Sequence, residues 1–173
     1  MKNLEQNYIS VVLVVNDESH DIVNKVQNIS NTLKDNFKGS EIVIVDNNTI
    51  KSLELNTLSE RNVKYTLIKL PIKHNTQQAF NAGTAMAIGD YIIEIEDVSF
   101  EMDYSKIIEL YKESQKGYDF VFLVPKKSRF TSKIFYKTLN KYFKNVFNED
   151  ISSSVMTLSS RRGQNKVAEI GKK

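Results

Sequence analysis

The sequence predicts an α/β protein, a three-layer sandwich with a mostly parallel central sheet, and three observations carry that prediction. The runs YISVVLVV (8–15) and EIVIVD (41–46) are almost uninterrupted in β-branched and aliphatic residues, as strands buried on both faces require. Segments of helical periodicity alternate with such runs at the spacing of crossover units. The 173 residues suit one core of ordinary size, so 1–173 is read as a single domain.

Residues 8–15 form the first strand. After the polar NDES, the residues Ile22, Val26, Ile29, Leu33 and Phe37 recur at three- and four-residue spacing. That is one apolar stripe on a helix of about five turns, capped by Asp17 or Ser19 and followed by Gly39. The second strand is 41–46. Residues 47–62 are polar and irregular, with a short helix around 53–58. KYTLIKLP (64–71) reads as a third strand closed by Pro71, and the Ala-rich TQQAFNAGTAMAIG (76–89) as a helix ending at Gly89. DYIIEIE (90–96) is a fourth strand, 104–116 a helix ended by Gly117, and YDFVFLV (118–124) a fifth strand. A basic amphipathic helix over 129–147 follows, and the chain then tapers into a polar tail at about 160–173.

Composition removes several functions. The absence of cysteine excludes disulfides, thiolate zinc sites and cysteine nucleophiles, and His20 with His74 are too few for a histidine-rich metal site. No apolar run approaches the roughly 18–20 residues that span a bilayer, and MKNLEQNYIS lacks the apolar core of a signal peptide, so a cytoplasmic protein is expected. A net charge of +3 is too mild to argue for nucleic acid. There is no Gly-rich phosphate loop after the first strand.

In open α/β sheets ligands enter beyond the carboxyl ends of the strands. There the sequence places Asn16, Asp17 and Glu18 after strand one, Asp46 to Thr49 after strand two, and Glu94, Glu96 and Asp97 around the end of strand four. Gathered carboxylates repel one another unless a cation or hydrogen-bond donors are supplied. Their hard oxygen atoms suit Mg²⁺ or Mn²⁺, which can carry a diphosphate. The same residues also serve as ordinary turn formers and helix caps, and spacing alone leaves both readings open.

The motifs resemble those of a known family. SVVLVVNDES (10–19) resembles SVVIPVYNEE, the opening of family-2 glycosyltransferases of the GT-A (Rossmann-like) fold, and EIVIVDNNT (41–49) resembles their EIIVVDDGS. HNTQQAFNAGTAMAIGDYII (74–93) is similar to their stretch NxGxxAARNAGxxxAxGDYI. Residues 116–143 and LSSRR (158–162) resemble the polyprenyl-phosphate branch, which includes the dolichyl-phosphate-mannose-synthase-like enzymes. The resemblance implies transfer of a sugar from a UDP- or GDP-linked donor to a lipid-phosphate or cell-surface glycan acceptor. It implies that Asp46 accepts from the base, with the Val14 backbone, Asp17 and Glu18 near the nucleoside and Asn81 and Gly83 near the ribose or diphosphate. Glu96 and Asp97 would hold Mg²⁺ or Mn²⁺ in place of the family's Asp-x-Asp.

The sequence departs from the family pattern where the chemistry lies. Aligning GDYIIEIEDVS (89–99) with GDYVIFLDADL puts Glu96 at the first metal position and Val98 at the second. The acidic and basic positions before the paired arginines read Val155 and Thr157, Asn16 replaces a tyrosine, and Asn48 a glycine. A second reading is therefore an inactive paralogue that binds a nucleotide sugar or partners another glycosyltransferase, or a copy of itself. Between Lys126 and Lys144 lie seven basic residues and no acids, facing a stripe that includes Phe130, Phe135 and Phe143. This is either a surface helix packed on the core or a helix lying at an anionic membrane or a polyprenyl phosphate, at the inner face of the membrane.

Overall fold

The computed structural model describes residues 3–16, 22–49, 62–95, 103–123 and 155–170. In chain order the elements are β1 (Ile9–Val15), α1 (Ile22–Lys34), β2 (Ser40–Asp46), β3 (Val63–Lys69) and α2 (Thr76–Met86), followed by β4 (Tyr91–Ile95), α3 (Lys106–Ser114), β5 (Phe120–Leu123), β6 (Met156–Ser160) and α4 (Arg161–Ile170). The six strands form one sheet in the order β3-β2-β1-β4-β6-β5. β1, β2, β3 and β4 are parallel, and β6 runs antiparallel to both of its neighbours, β4 and β5. The sheet is mostly parallel and carries helices on both faces, as the sequence predicts.

The uninterrupted apolar character of β1 and β2 has a direct cause. All seven residues of each strand are buried, because each strand has a neighbour on both edges and helices on both faces. On one face Ile9, Val11, Leu13 and Val15 pack with Val26, Ile29 and Leu33 of α1 and with Ile107 and Leu110 of α3. Phe37 and Tyr91 meet the Tyr111 ring edge-on, with centroids 5.0 and 5.5 Å away. On the other face Val12, Val14, Val43, Val45 and Ile92 pack with Ala79 and Phe80 of α2. Asn48, which stands where the resembled motif has glycine, has a positive φ of 59°, and Gly117, just past α3, has φ 102°.

Helix α1 ends at Lys34, before the Phe37 of its expected stripe, several other ends shift by a residue or two, and three differences are larger. Helix α2 stops at Met86 instead of Gly89, because Ala87 turns extended and returns its N–H to Gly83 O and Thr84 O. Residues 156–160 form a strand inserted between β4 and β5, and 161–170 form a helix where a polar tail was expected. In β6 only Met156 and Leu158 point apolar side chains into the core. The alternation is too short to register among serines and threonines. The short helix around 53–58, the caps Asp17 and Ser19 and the basic helix at 129–147 lie outside the described residues.

Candidate nucleotide crevice

From β1 the chain proceeds to β2 and β3 on one side, while β4 pairs on the other. The carboxyl end of β1 is thus the point where strand order reverses, and a crevice opens there in folds of this kind. The register brings the ends level: Val15 lies opposite Asp46, Asp46 opposite Lys69, and Leu13 opposite Ile95. What lines the crevice is decided by the short segments leaving these strands.

Asp46 is the last residue of β2 and only 5% exposed. Its Oδ1 accepts from Thr49 N–H at 2.8 Å and from Thr49 Oγ1 at 2.7 Å, closing a turn over Asn48 in which the positive φ is needed. Its carbonyl accepts from Leu70 N–H at 2.9 Å. The carboxylate therefore shapes the loop at 46–49, a structural role that the sequence does not reveal.

Asn47 is fully buried and joins three segments. Its backbone N–H donates to Val15 O at 3.0 Å. Its Nδ2 donates to Asn16 Oδ1 at 2.7 Å and to His74 O at 2.8 Å, and its Oδ1 accepts from His74 N–H at 2.8 Å. One amide thus ties the end of β1, the loop after β2 and the segment between β3 and α2. The next residue, Asn75, caps α2 by accepting from Gln78 N–H at 2.8 Å. Sequence reasoning placed Asn47 at the end of strand two and gave it no role of its own. Its signal was an amide beside Asp46 at a strand end, indistinguishable from a turn former.

Among the other expected residues, Val14 is buried within β1, its side chain on the α2 face. Asn81 is exposed on α2, and its Oδ1 accepts from Gln77 Nε2 at 3.2 Å. Gly83 is buried about 10 Å down the helix from Thr76. A Cβ there would come within 2.5 Å of Val12 Cγ1 and 2.8 Å of Val45 Cγ2, so the glycine lets α2 lie close on the sheet. Glu94 accepts from Thr84 Oγ1 at 2.9 Å on the same face. Asp17, Glu18, Glu96 and Asp97 lie outside the described residues, as does Val98. Among the described residues no group of three or more acidic or histidine side chains gathers in a metal-holding cluster.

The opposite edge of the sheet is fastened just as closely. Glu41, 1% exposed, accepts from Ser10 Oγ at 2.6 Å and from Ile88 N–H at 2.7 Å, and Ser10 Oγ accepts from Gly89 N–H at 2.8 Å. Tyr8 stands beside this carboxylate, and burial first, then the Glu41 charge, push its phenol up. Arg161 donates to Ala87 O at 2.7 Å and to Gly89 O at 3.0 Å. Asp119 accepts from Ser160 Oγ, Arg162 Nε and Lys166 Nζ at 2.6, 2.8 and 3.2 Å. These bonds, led by the Ser160 hydroxyl and then Arg162, hold its carboxyl down to about 2. The paired arginines of LSSRR therefore stand at the edge away from the crevice and act there as fasteners.

No protein-family profile and no curated protein matches the chain. Solved structures do. Glucosyl-3-phosphoglycerate synthase from Mycobacterium tuberculosis, crystallised with Mn²⁺, uridine diphosphate and phosphoglyceric acid, superposes with a TM-score of 0.64 at 15% identity over 90% of this chain. The S. aureus TarS fragment 1–349 superposes with a TM-score of 0.55 at 15% identity over 70% of this chain. This chain spans 56% of the synthase and 37% of the TarS fragment. At these identities the likeness is one of fold, the GT-A arrangement of a mostly parallel six-stranded sheet.

Proposed function

We propose that this chain is the nucleotide-sugar-binding domain of a glycosyltransferase, taking a sugar from a UDP- or GDP-linked donor to a lipid-phosphate or glycan acceptor. The observation that carries the reading is the reversal of strand order at β1, beyond whose carboxyl end Asp46 closes the 46–49 loop with its own carboxylate and Asn47 pins that loop to His74. Fold likeness to a synthase crystallised with uridine diphosphate supports it. In this reading Asp46 accepts from the base, and the Val14 backbone, Asp17 and Glu18 flank the nucleoside. Asn81 lies on the diphosphate side of α2, while Gly83 serves by letting the helix approach the sheet.

Glu96 and Asp97 directly follow Ile95, the last residue of β4, and offer the hard oxygen donors that Mg²⁺ or Mn²⁺ takes. A bound cation would neutralise the charge that develops on the departing diphosphate. A phosphate acceptor is already ionised and needs no general base. That agrees with Val155 and Thr157, neither of them an acid: Val155, just before β6, donates its N–H to Leu123 O, and Thr157 of β6 pairs opposite Glu94 and Phe122. The same departures favour the second reading, a non-catalytic nucleotide-sugar-binding partner of an active transferase. Metal-dependent transfer or hydrolysis that disappears in Glu96→Gln would exclude it.

Calorimetric titration of UDP, GDP and their sugar conjugates, with and without Mn²⁺, tests the binding reading. Micromolar binding of one nucleotide, strengthened by Mn²⁺, is expected. Absence of binding by every member of the panel overturns it.

A further inference from the structure

We propose that Asn47 is the positioning residue of the crevice, and that through it the segment 70–75, between β3 and α2, becomes the third wall of the nucleotide site. The inference rests on the binding reading above and deepens it, since neither Asn47 nor this segment was assigned a part in the site. Three facts support it. The Asn47 side chain is fully buried, and its three hydrogen bonds leave the loop at 46–49 to reach residues 31 and 27 positions away in sequence, Asn16 and His74. It engages both the N–H and the C=O of His74, as a strand neighbour would, so it fixes the two peptide units that flank that residue as well as its distance. The segment is fastened again on either side, by Leu70 N–H on Asp46 O at 2.9 Å and by the Asn75 cap of α2.

A loop used only to connect two elements gains nothing from such fastening, because loop ends are already fixed by the elements they join. A wall that must meet a ligand does gain, since ordering it before binding removes an entropic cost from the binding step. The tie also requires an amide. An aspartate at this position has no proton to donate near neutral pH, and would face Asn16 Oδ1 and His74 O with lone pairs on both sides. Asn16 and Asn47 thus form a matched pair at two positions where the resembled family shows tyrosine and aspartate.

The test compares Asn47→Ala and Asn47→Asp with Ser10→Ala, which removes buried hydrogen bonds at the other edge of the sheet and serves as the stability control. Each variant is titrated with the nucleotide that the unaltered chain binds best, its thermal midpoint is recorded, and hydrogen exchange is followed at the His74 amide. The expected result is a loss of nucleotide affinity of tenfold or more in both Asn47 variants, with rapid exchange at His74. Ser10→Ala should lose a similar amount of thermal stability while keeping its affinity and its His74 protection. Equal affinity losses in Ser10→Ala and Asn47→Ala would reduce Asn47 to a structural residue and overturn the proposal. Should the unaltered chain bind no nucleotide, the binding reading falls. The exchange experiment then decides the tie by itself, because His74 protection that survives Asn47→Ala overturns it.

Discussion

Asp46 illustrates how one side chain can carry two burdens. Its carboxylate closes the 46–49 turn through Thr49 and is the group expected to meet the base. Asp46→Ala removes both functions at once, so a loss of affinity in that variant is ambiguous. Asp46→Asn keeps an oxygen for Thr49 while removing the charge. In Asp46→Asn we expect nucleotide affinity, read by calorimetry, to fall about tenfold with the thermal midpoint nearly unchanged, since one hydrogen bond to a charged group contributes roughly 1.5–3 kcal/mol. Gly83 presents the opposite case, a residue that functions by having no side chain. Alanine is the better helix former by about 1 kcal/mol, yet its Cβ would stand 2.5 Å from Val12 Cγ1. Chemical denaturation should find Gly83→Ala less stable by about 1–3 kcal/mol, because overpacking outweighs propensity.

Elements were legible in proportion to how completely their neighbours bury them. β1 and β2 are covered on every side, so their residues could only be apolar, and their positions and type were plain. β6 takes its place by inserting between β4 and β5, a long-range event that leaves only Met156 and Leu158 as local trace. α4 begins on Arg161 and Arg162, whose partners Ala87, Gly89 and Asp119 are distant in sequence. The role of Asn47 could not be read for the same reason: what an amide does depends on which carbonyls reach it. Asp46 was singled out by the resemblance of EIVIVDNNT to a family motif, since spacing alone left an ordinary turn former equally open. Two predictions belong to this scale. Glu41→Ala strips a partner from Ser10 Oγ and Ile88 N–H and should cost about 3 kcal/mol by denaturant melt, with Glu41→Gln milder because an amide oxygen still accepts both. Asp119 has its carboxyl lowered to about 2, so its ties to Ser160, Arg162 and Lys166 add stability above the unfolded value near 4 and lose it as pH falls from there toward 2. Thermal melts across that window should show Asp119→Asn losing less midpoint than the parent chain.

At the scale of the whole molecule the two edges of the sheet divide the labour. The N-terminal edge of the parallel strands holds Glu41, Arg161 and Asp119 in closed networks, whereas at the carboxyl edge the segments that leave the strands are tied to each other. Variants at the first edge should lower stability with nucleotide affinity intact, and variants at the second should lower affinity more than stability. A panel of both, measured by melt and by titration, checks the division.

The place of β6 bears on how the chain is made. β5 pairs with β6 in the sheet order, and β6 alone joins it to β4, yet more than thirty residues separate the end of β5 from the start of β6. During synthesis β1 to β4 can assemble as soon as they emerge, while among the described residues the partner of β4's outer edge and of β5 is β6, which is complete only when residue 160 has left the ribosome. At roughly 5–20 residues per second that is an interval of seconds in which a bare parallel edge is open to other nascent chains. A chain released before residue 156 lacks β6 altogether, and light scattering is expected to show it aggregating more readily than the full sequence.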